Sequence, residues 1–312
     1  QSSGAEVRDF IRSINGLVVE LPESALKALA ARSDVQYVQT ATPKLSETNA
    51  ENRTLHQVNT VQGAPYSLNG SGVTVLVYDG GTARSTHQDF QGRLSVKDGS
   101  GMVSHATHVA GTVGGAGVAN ANNKGMAPGV SIVSYGFEYS GAGTFLYDNP
   151  GDLDSDYTQA ILTFGADISN NSIGTNTATN GFACSLHGDY GVTSATIDAI
   201  VRGALGSPFR VVWANGNERQ STRCSGDEGY GQYYSTAPPA GAKNHIAVGA
   251  INSNDQSMTS FSSWGPTDDG RMRPDIVAGG CQSSGDNGVT SCNSSSDTAY
   301  TTMCGTSMAS PT

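Results

Sequence analysis

Three short segments of the chain carry side chains that could together perform acyl transfer. Asp79 ends the apolar segment VTVLVYDGG, His105 lies in SHATHVAGTVGG, and Ser307 lies in GTSMASP. In a nucleophilic triad a carboxylate orients an imidazole, and the imidazole takes the proton of a hydroxyl. These residue types therefore predict hydrolysis through a covalent intermediate, provided that the fold brings them together.

Each segment alone has a simpler explanation. An aspartate at the end of a strand, such as Asp79, often forms a turn or caps a helix. His105 and His108 could form a metal pair, but no HExxH spacing and no nearby carboxylate or cysteine completes such a site. We therefore interpret His105 as a single base and His108 as a packed or hydrogen-bonded core residue.

The segment around Ser307 predicts a helix that begins beside the hydroxyl. Such a helix directs free backbone N–H groups toward Ser307 and toward an oxyanion formed next to it. The segment is not a G-x-S-x-G elbow, because Ala309 replaces the second glycine. Asn217 in VVWANGNERQ follows an apolar strand, and its amide could donate to the same oxyanion. An ordinary turn asparagine is the alternative for Asn217.

The elements that must position these residues alternate along the chain. Apolar segments predict strands at 73–78, 130–135, 166–172, 210–214 and 245–250. Periodic segments predict helices at 105–113, 156–164 and 194–205. This alternation predicts an α/β fold, with a mostly parallel sheet flanked by helices on both faces.

The first 45 residues form a different pattern. An extended segment at 16–21, a helix that starts at Pro22 and a second strand at 35–38 predict a small α+β unit of βαβ type. A polar, turn-rich connector follows, which we expect to be exposed and cleavable. The predicted domains are residues 1–45 and 46–312.

Composition excludes several classes of partner. With 27 acidic and 17 basic side chains, the formal charge of −10 argues against nucleic acid and anionic membranes. No apolar segment approaches the roughly 18 residues that a membrane helix requires.

The cysteines indicate disulfides in an oxidising compartment. Five cysteines without CxxC spacing disfavour zinc and leave one thiol over. The pairing is open from sequence. Our expectation is that Cys184 pairs with Cys224 and Cys281 with Cys292, leaving Cys304 free.

The combination resembles a known family. The order Asp, His, Asn, Ser is that of subtilisin, and the strings NNKGMAPGVSI, IAVGAINSNDQSMTSFSSWGP, RPDIVAGG and CGTSMASP strengthen the likeness from about residue 72 onward. The chain is therefore similar to the subtilisin-like serine proteases, or subtilases. The resemblance implies a subtilisin-like three-layer fold and a secreted, extracellular, periplasmic or cell-surface endopeptidase acting on protein or peptide substrates.

The resemblance also implies roles for individual residues. Asp79 would orient His105, His105 would accept the proton of Ser307, and Asn217 with the backbone N–H of Ser307 would form the oxyanion hole. SNNSIG matches the family strand that pairs with an extended substrate. Its substrate-binding residues would be Ser172, Ile173 and Gly174.

Two positions depart from the family pattern. Gly80 stands where a serine or threonine usually follows the catalytic aspartate, so a hydroxyl that would help to hold the carboxylate is absent. Ala106 replaces the glycine that usually follows the catalytic histidine, and it remains small. A catalytically inactive scaffold on the same fold is the rival reading, although all four catalytic positions are filled.

A structural calcium site is a further expectation. THQDF resembles the family string HPDL with one extra residue, which makes Asp89 a candidate calcium ligand. Asn120 and Asn122, with Asn123, lie in the loop after the histidine helix and are its candidate companions. Surface asparagines without a metal are the alternative.

The two ends of the chain suggest further segments. Residues 1–45 resemble part of a subtilase pro-domain, so we expect an inhibited precursor in which 37–43 lies along the substrate cleft. A permanent N-terminal extension is the alternative. The resemblance also implies that the helix of Ser307 continues beyond Thr312, in a downstream segment or separate chain that completes the fold.

An acidic loop precedes the second predicted helix. Its carboxylates favour helix capping and solvation over recognition of basic substrate residues. The four residues concerned are Asp148, Asp152, Asp154 and Asp156.

Overall fold

The computed structural model describes residues 6–11, 16–35, 38, 48–137, 150–221, 223–224, 231–285 and 287–312. The chain divides into two compact units, Gln1–Leu45 and Ser46–Thr312. Among the helices of the described part, none has the length and apolar character needed to cross a membrane.

The first unit contains an antiparallel strand pair followed by a short helix. β1 (Glu6–Ile11) pairs with β2 (Gly16–Glu20), and α1 covers Leu26–Ala30. The expected strand after the helix is not seen at Val35 or Val38, and 36–37 lie outside the described residues. The partner of β2 instead precedes it. The sequence EVRDFI concealed that strand because its charged residues weaken the apolar alternation.

The second unit is built on a seven-stranded sheet in the order β4-β5-β3-β6-β7-β8-β9, and all six neighbouring pairs are parallel. Five of the strands were predicted; the short β4 and the edge strand β9 were not. The strands are β3 (Thr74–Asp79), β4 (Leu94–Val96), β5 (Ser131–Gly136), β6 (Ile168–Asn171), β7 (Arg210–Ala214), β8 (Ile246–Asn252) and β9 (Ile276–Cys281).

Helices cover both faces of this sheet, so alternate residues of β3 enter different cores. Leu76 and Tyr78 pack in a cluster with Tyr157 and Trp213, whereas Val77 packs with Val109 on the other side. Burial on both faces explains the continuous apolar sequence of β3. The predicted three-layer α/β architecture is confirmed.

The three helices predicted for the sheet region of the second unit lie close to their expected positions. The connector that we expected to be exposed instead forms a helix at Thr48–Leu55, in which Asn49, Asn52 and Arg53 are buried. Helix α5 begins at Pro150 rather than at residue 156, because proline is favourable in the first turn and Asp152 lies near the positive end of the helix dipole. Asp154 on the same helix is exposed, whereas Asp148 lies outside the described residues. The helices are α2 (Thr48–Leu55), α3 (Val58–Gln62), α4 (Ser104–Gly114), α5 (Pro150–Leu162), α6 (Gly191–Val201) and α7 (Thr306–Ala309).

An antiparallel hairpin, which the sequence did not predict, connects the sheet to α7. Its strands are β10 (Val289–Cys292) and β11 (Tyr300–Met303). The hairpin packs closely on α4, where a Cβ added at Gly111 would lie 2.4 Å from the Ser291 hydroxyl and 2.7 Å from the Cys292 sulfur. Gly111 is therefore the position that allows β10 to approach the helix of His105.

Two disulfides are present, and one of them corrects the expected pairing. Cys184 pairs with Cys224 as predicted. Cys281 pairs with Cys304, at a Cα–Cα distance of 4.7 Å, while Cys292 is free and buried. The expected pair of Cys281 and Cys292 was wrong because Cys292 faces α4 from within the hairpin, whereas the chain next to Cys304 hydrogen-bonds to Gly280 at the end of β9.

Candidate active site

The site lies at the carboxyl ends of the central strands, where open α/β sheets form their crevices. Asp79 is the last residue of β3 and is 1% exposed, and His105 is the second residue of α4. Nδ1 of His105 lies 2.7 Å from Oδ1 of Asp79. Because an ionised carboxylate only accepts, Nδ1 carries the proton and the lone pair of Nε2 is available to a nucleophile.

The second oxygen of Asp79 has an incomplete environment. Oδ1 also accepts from the backbone N–H of Gly80 at 2.7 Å. Oδ2 is buried, and no hydrogen-bond partner for it is found among the described residues. Gly80 lacks the hydroxyl that a serine or threonine would supply at this position. Oδ2 of Asp79 is the carboxylate oxygen that lacks a partner among the described residues.

The aspartate changes the basicity of His105. Burial acts to lower the pKa of His105, but the charge of Asp79 and its hydrogen bond outweigh this effect, and the pKa is raised above its usual range. The side chain of His105 is 37% exposed, against 1% for that of Asp79. The imidazole is therefore held by a buried anion and is itself partly accessible to solvent.

Ser307 is the second residue of α7 and is joined to the end of β6. Its hydroxyl donates to the backbone oxygen of Ser172 at 2.9 Å, and the hydroxyl of Ser172 donates to the backbone oxygen of Ser307 at 2.7 Å. Since a hydroxyl carries one proton, Ser307 does not donate to His105 in this conformation. The hydroxyl must therefore give up its bond to the Ser172 oxygen before its proton can reach Nε2.

Asn217 lies opposite the nucleophile, in the turn after β7. Its Oδ1 accepts from the backbone N–H of Thr306 at 2.8 Å and from the Thr306 hydroxyl at 2.9 Å. These two donors fix the orientation of the amide, so that Nδ2 is the end left to donate. A Cβ added at Gly305 would lie 3.5 Å from that Nδ2. The amide therefore borders the backbone that precedes Ser307.

The turn of Asn217 is shaped by its neighbours. Gly216 has φ +107°, a conformation that side chains rarely adopt, and its N–H donates to the Thr306 hydroxyl at 3.2 Å. Thr306 therefore contacts both the turn and the amide. Its role was not predicted, although it lies within the GTS string that identified Ser307.

Glu218 anchors the same turn to the segment that follows the predicted substrate strand. Its Oε1 accepts from the backbone N–H groups of Ala178 and Thr179 at 2.9 and 3.2 Å. Its Oε2 lies 3.0 Å from Nε2 of His187, and both side chains are buried. This anchor was missed, because the sequence offers no signal that pairs His187 with a residue 31 positions away.

The predicted substrate strand directly follows β6. The backbone oxygen of Ser172 is engaged by Ser307, and that of Ile173 accepts from Trp213 Nε1 at 2.6 Å. A Cβ added at Gly174 would have no heavy atom within 4 Å, so this part of the backbone borders open space. Substrate contacts by the three residues stay a prediction.

His108 has the structural environment expected of a core residue. It is buried, and its Nε2 lies 2.7 Å from the backbone oxygen of Val289 in the hairpin. Burial lowers the pKa of His108 to about 4, so the ring is neutral at physiological pH. Its hydrogen bond joins α4 to β10.

The predicted calcium ligands are engaged within the protein. Asp89 is 0% exposed; its Oδ1 accepts from Val118 N–H and from the Tyr300 hydroxyl, both at 2.9 Å, and its Oδ2 accepts from Gly117 N–H at 3.2 Å. Asn120 accepts from the N–H of Asn122 at 3.1 Å. As placed, these residues do not fit a calcium cage, and their role as ligands stays a prediction.

One further group has metal-binding chemistry. Ligand atoms of His87, Asp89 and Cys292 lie within 4.8 Å of one another, and all three residues are buried. His87 Nε2 lies 2.9 Å from the Ala299 backbone oxygen, and the Cys292 sulfur lies 3.7 Å from Asp89 Oδ2. Burial raises the pKa of the Cys292 thiol, and the negative charge of Asp89 raises it further. The thiol therefore stays protonated. Hydrogen bonding among these groups accounts for their proximity.

Comparison with known proteins identifies a family and several relatives of this chain. The model of the subtilase family matches residues 70–312. A cuticle-degrading serine protease of Arthrobotrys oligospora is 27% identical over 331 residues, which cover 99% of this chain and 68% of the relative. The alkaline serine exoprotease A of Vibrio alginolyticus is 29% identical over 97% of this chain and 51% of its own length. Subtilisin E of Bacillus subtilis is 28% identical over 84% of this chain and 62% of its own length.

Solved structures share the fold. A cold-adapted subtilisin-like serine proteinase superposes with a TM-score of 0.52 at 27% identity, over 78% of this chain and 73% of that chain. The CspB protease of Clostridium perfringens has a TM-score of 0.63 at 15% identity, over 84% of this chain and 85% of its own, which shows the fold alone.

The chain spans about half to two thirds of the length of the curated relatives it matches. The matched region 70–312 nevertheless includes every residue of the site, from Asp79 to Ser307. It also covers more than half of the chain. This chain therefore belongs to the subtilase family.

Proposed function

We propose that this chain is a serine endopeptidase that hydrolyses peptide bonds through Asp79, His105 and Ser307. The observation that carries the proposal is the 2.7 Å contact between the buried Asp79 carboxylate and Nδ1 of His105. This contact leaves Nε2 to act as the base. The position of Ser307 beside the oriented amide of Asn217 supports the same assignment.

In the proposed reaction, Ser307 rotates from the Ser172 carbonyl toward His105. Nε2 takes the hydroxyl proton while Oγ bonds to the scissile carbonyl carbon, and the carbonyl oxygen becomes an oxyanion. Nδ2 of Asn217 and the backbone N–H of Ser307 donate to that oxyanion. Collapse breaks the C–N bond, and His105 gives its proton to the leaving amine. Water then hydrolyses the acyl-enzyme by the same two proton transfers.

Substrate binding in this proposal uses the strand after β6. An extended peptide would pair with the backbone of Ser172, Ile173 and Gly174, so that main-chain hydrogen bonds give affinity for many sequences. The open space at Gly174 supports this placement. Protein or peptide chains are therefore the proposed substrates.

The proposal places the enzyme outside the cell and includes an inhibited precursor. Two disulfides support an oxidising compartment. Residues 1–45 would be the inhibitory pro-segment, although most of 37–43 lies outside the described residues. Calcium has no part in the proposed reaction.

A fluorophosphonate probe, which phosphonylates activated serines, tests the proposal. Protein freed of residues 1–45 should be labelled at Ser307 and should cleave casein, and Ser307→Ala should abolish both activities. Labelling of the uncut chain should be slower. Absence of labelling after removal of residues 1–45, with the fold intact by circular dichroism, would instead support a catalytically inactive scaffold.

A further inference from the structure

In the loop after α4, three backbone carbonyl oxygens accept hydrogen bonds from the side chain of one buried arginine. Arg53 of α2 is 6% exposed. Its Nη2 donates to the backbone oxygen of Ala121 at 3.2 Å, and its Nη1 donates to the backbone oxygens of Asn122, at 3.2 Å, and of Lys124. Three carbonyl groups within four residues of chain therefore converge on one guanidinium.

Two further side-chain N–H donors of α2 bind oxygens near this guanidinium. Arg53 Nε donates to Oδ1 of Asn59 at 3.2 Å, and Asn49 Nδ2 donates to the backbone oxygen of Asn123 at 3.1 Å. The acceptors of the Arg53 guanidinium in the described part of the chain are thus carbonyl and amide oxygens rather than carboxylates. Burial lowers the pKa of Arg53, but an arginine side chain keeps its charge in proteins.

The chemistry of this arrangement is that of a hard cation site. Calcium is bound by backbone carbonyls, amide oxygens and carboxylates, often from one loop. A guanidinium has five N–H donors in a rigid plane, so it can satisfy several carbonyl oxygens at once while supplying positive charge. In this loop the backbone oxygens of Ala121, Asn122 and Lys124 are directed at Arg53. Oδ1 of Asn123 is buried and has no partner among the described residues.

The other end of the loop is held by a buried anion. The N–H groups of Gly117 and Val118 donate to the carboxylate of Asp89. An internal carboxylate therefore binds the N–H groups at the start of the loop, and an internal guanidinium binds the carbonyl groups at its end. The backbone N–H of Met126 donates to Thr112, which returns the loop to the helix of His105.

We propose that Arg53 is the built-in cation of the 117–124 loop and replaces a metal ion there. Arg53 and Asp89 supply the opposite charges that hold the two ends of the loop, so its order does not depend on calcium. This inference concerns the loop that supports α4, and it does not require that the chain be an active protease.

Hydrogen exchange on the full chain carrying Ser307→Ala, which prevents self-digestion, tests the proposal directly. The amides of Gly117 and Val118 should exchange at the same rate in excess calcium chloride and in excess EGTA. A rate that rises tenfold or more in EGTA would overturn the proposal. A calcium site elsewhere in the molecule would shift the global melting temperature without changing this local comparison.

A variant at Arg53 provides the second measurement. In the same background, Arg53→Gln should speed exchange in 117–124 by at least about 10-fold and lower Tm by about 5 °C or more, because three carbonyl groups of the loop lose a charged donor. Arg202→Gln removes one exposed arginine from the end of α6 and is the matched control, with no change in this loop. Exchange in Arg53→Gln at the rate of the control would refute the role of Arg53. If Arg53→Gln does not fold, the comparison of calcium chloride with EGTA on the chain with Arg53 intact still tests whether the order of the loop depends on calcium.

Discussion

Ser172 and Ser307 are joined by two reciprocal hydrogen bonds, each from the hydroxyl of one residue to the backbone oxygen of the other, at 2.7 and 2.9 Å. The pair links the proposed substrate strand to the helix of the nucleophile. In this pair the Ser307 hydroxyl donates its proton to the backbone oxygen of Ser172. In the proposed binding mode, the same oxygen would accept a hydrogen bond from an extended peptide. A substrate N–H donated to the same oxygen would compete with the hydroxyl and make it easier for the hydroxyl to turn toward His105.

Ser172→Ala should therefore loosen the nucleophile helix. Loss of the hydroxyl leaves the backbone oxygen of Ser307 without this donor, and we expect the free energy of unfolding to fall by about 1–2 kcal/mol. Urea denaturation in the Ser307→Ala background measures the change, and Ser71→Ala, at an exposed serine, serves as control. Equal stability of the two variants would show that the Ser172 bond contributes nothing.

Asn217→Ala should reduce kcat by about 10² to 10³-fold with little change in KM, a range measured for the same change in subtilisin. The reason is that Nδ2 acts on charge that develops only in the transition state. Thr306→Val should produce part of this loss, because its hydroxyl no longer orients the amide.

Thr306→Ser keeps that hydroxyl and should retain most of the activity. Steady-state kinetics on a peptide substrate separate the two parameters. A rise in KM with unchanged kcat for Asn217→Ala would contradict the oxyanion role.

The pH dependence of kcat/KM should report on His105. Its protonated form cannot act as base, and Asp79 raises its pKa, so activity should be lost as the pH falls through a value above the usual figure of about 6.5. Asp79→Asn removes the charge that raises the pKa. The acidic limb of the profile should then move to lower pH, and kcat should fall by about 10⁴-fold, as the corresponding change does in another serine protease. An unmoved limb would mean that a different group titrates.

Gly80→Ser should increase stability. Oδ2 of Asp79 is buried without a described partner, and a Cβ at position 80 would meet only the Phe137 ring, at an ordinary 3.7 Å. A serine hydroxyl there can donate to Oδ2, and we expect a gain of about 0.5–1.5 kcal/mol in the free energy of unfolding. Gly80→Ala adds the Cβ without the donor and is the control. Equal gains for the two variants would point to backbone entropy instead of the hydrogen bond.

Local sequence patterns were sufficient to predict strands that are continuous apolar segments bounded by turns. β7 was predicted at its observed bounds, because RVVWA is apolar and followed by a glycine-containing turn. The chemistry at the ends of β3, β6 and β7 was also accessible, since parallel strands bring their carboxyl ends to one edge. The family resemblance then assigned roles that spacing alone could not.

The features that sequence analysis missed depend on contacts between distant parts of the chain. His187 and Glu218 are 31 residues apart, and Arg53 lies 68 to 71 positions from the carbonyl groups it binds. No periodicity records such pairings. The expected pair of Cys281 and Cys292 was wrong for the same reason, because Cys292 and Cys304 lie in or beside a hairpin that packs on α4 at Gly111.

The bridge between Cys281 and Cys304 closes a ring over a sequence separation of 23 residues. The bond fixes the residue before Gly305 to the end of β9, so the edge strand and the nucleophile share one covalent frame. The residues between the two cysteines form a loop whose ends are held together by the disulfide. The ends of the hairpin are thus held on β9 by the disulfide, its β10 strand is held on α4 by packing at Gly111, and the reactive hydroxyl of Ser307 follows shortly after the bridged Cys304.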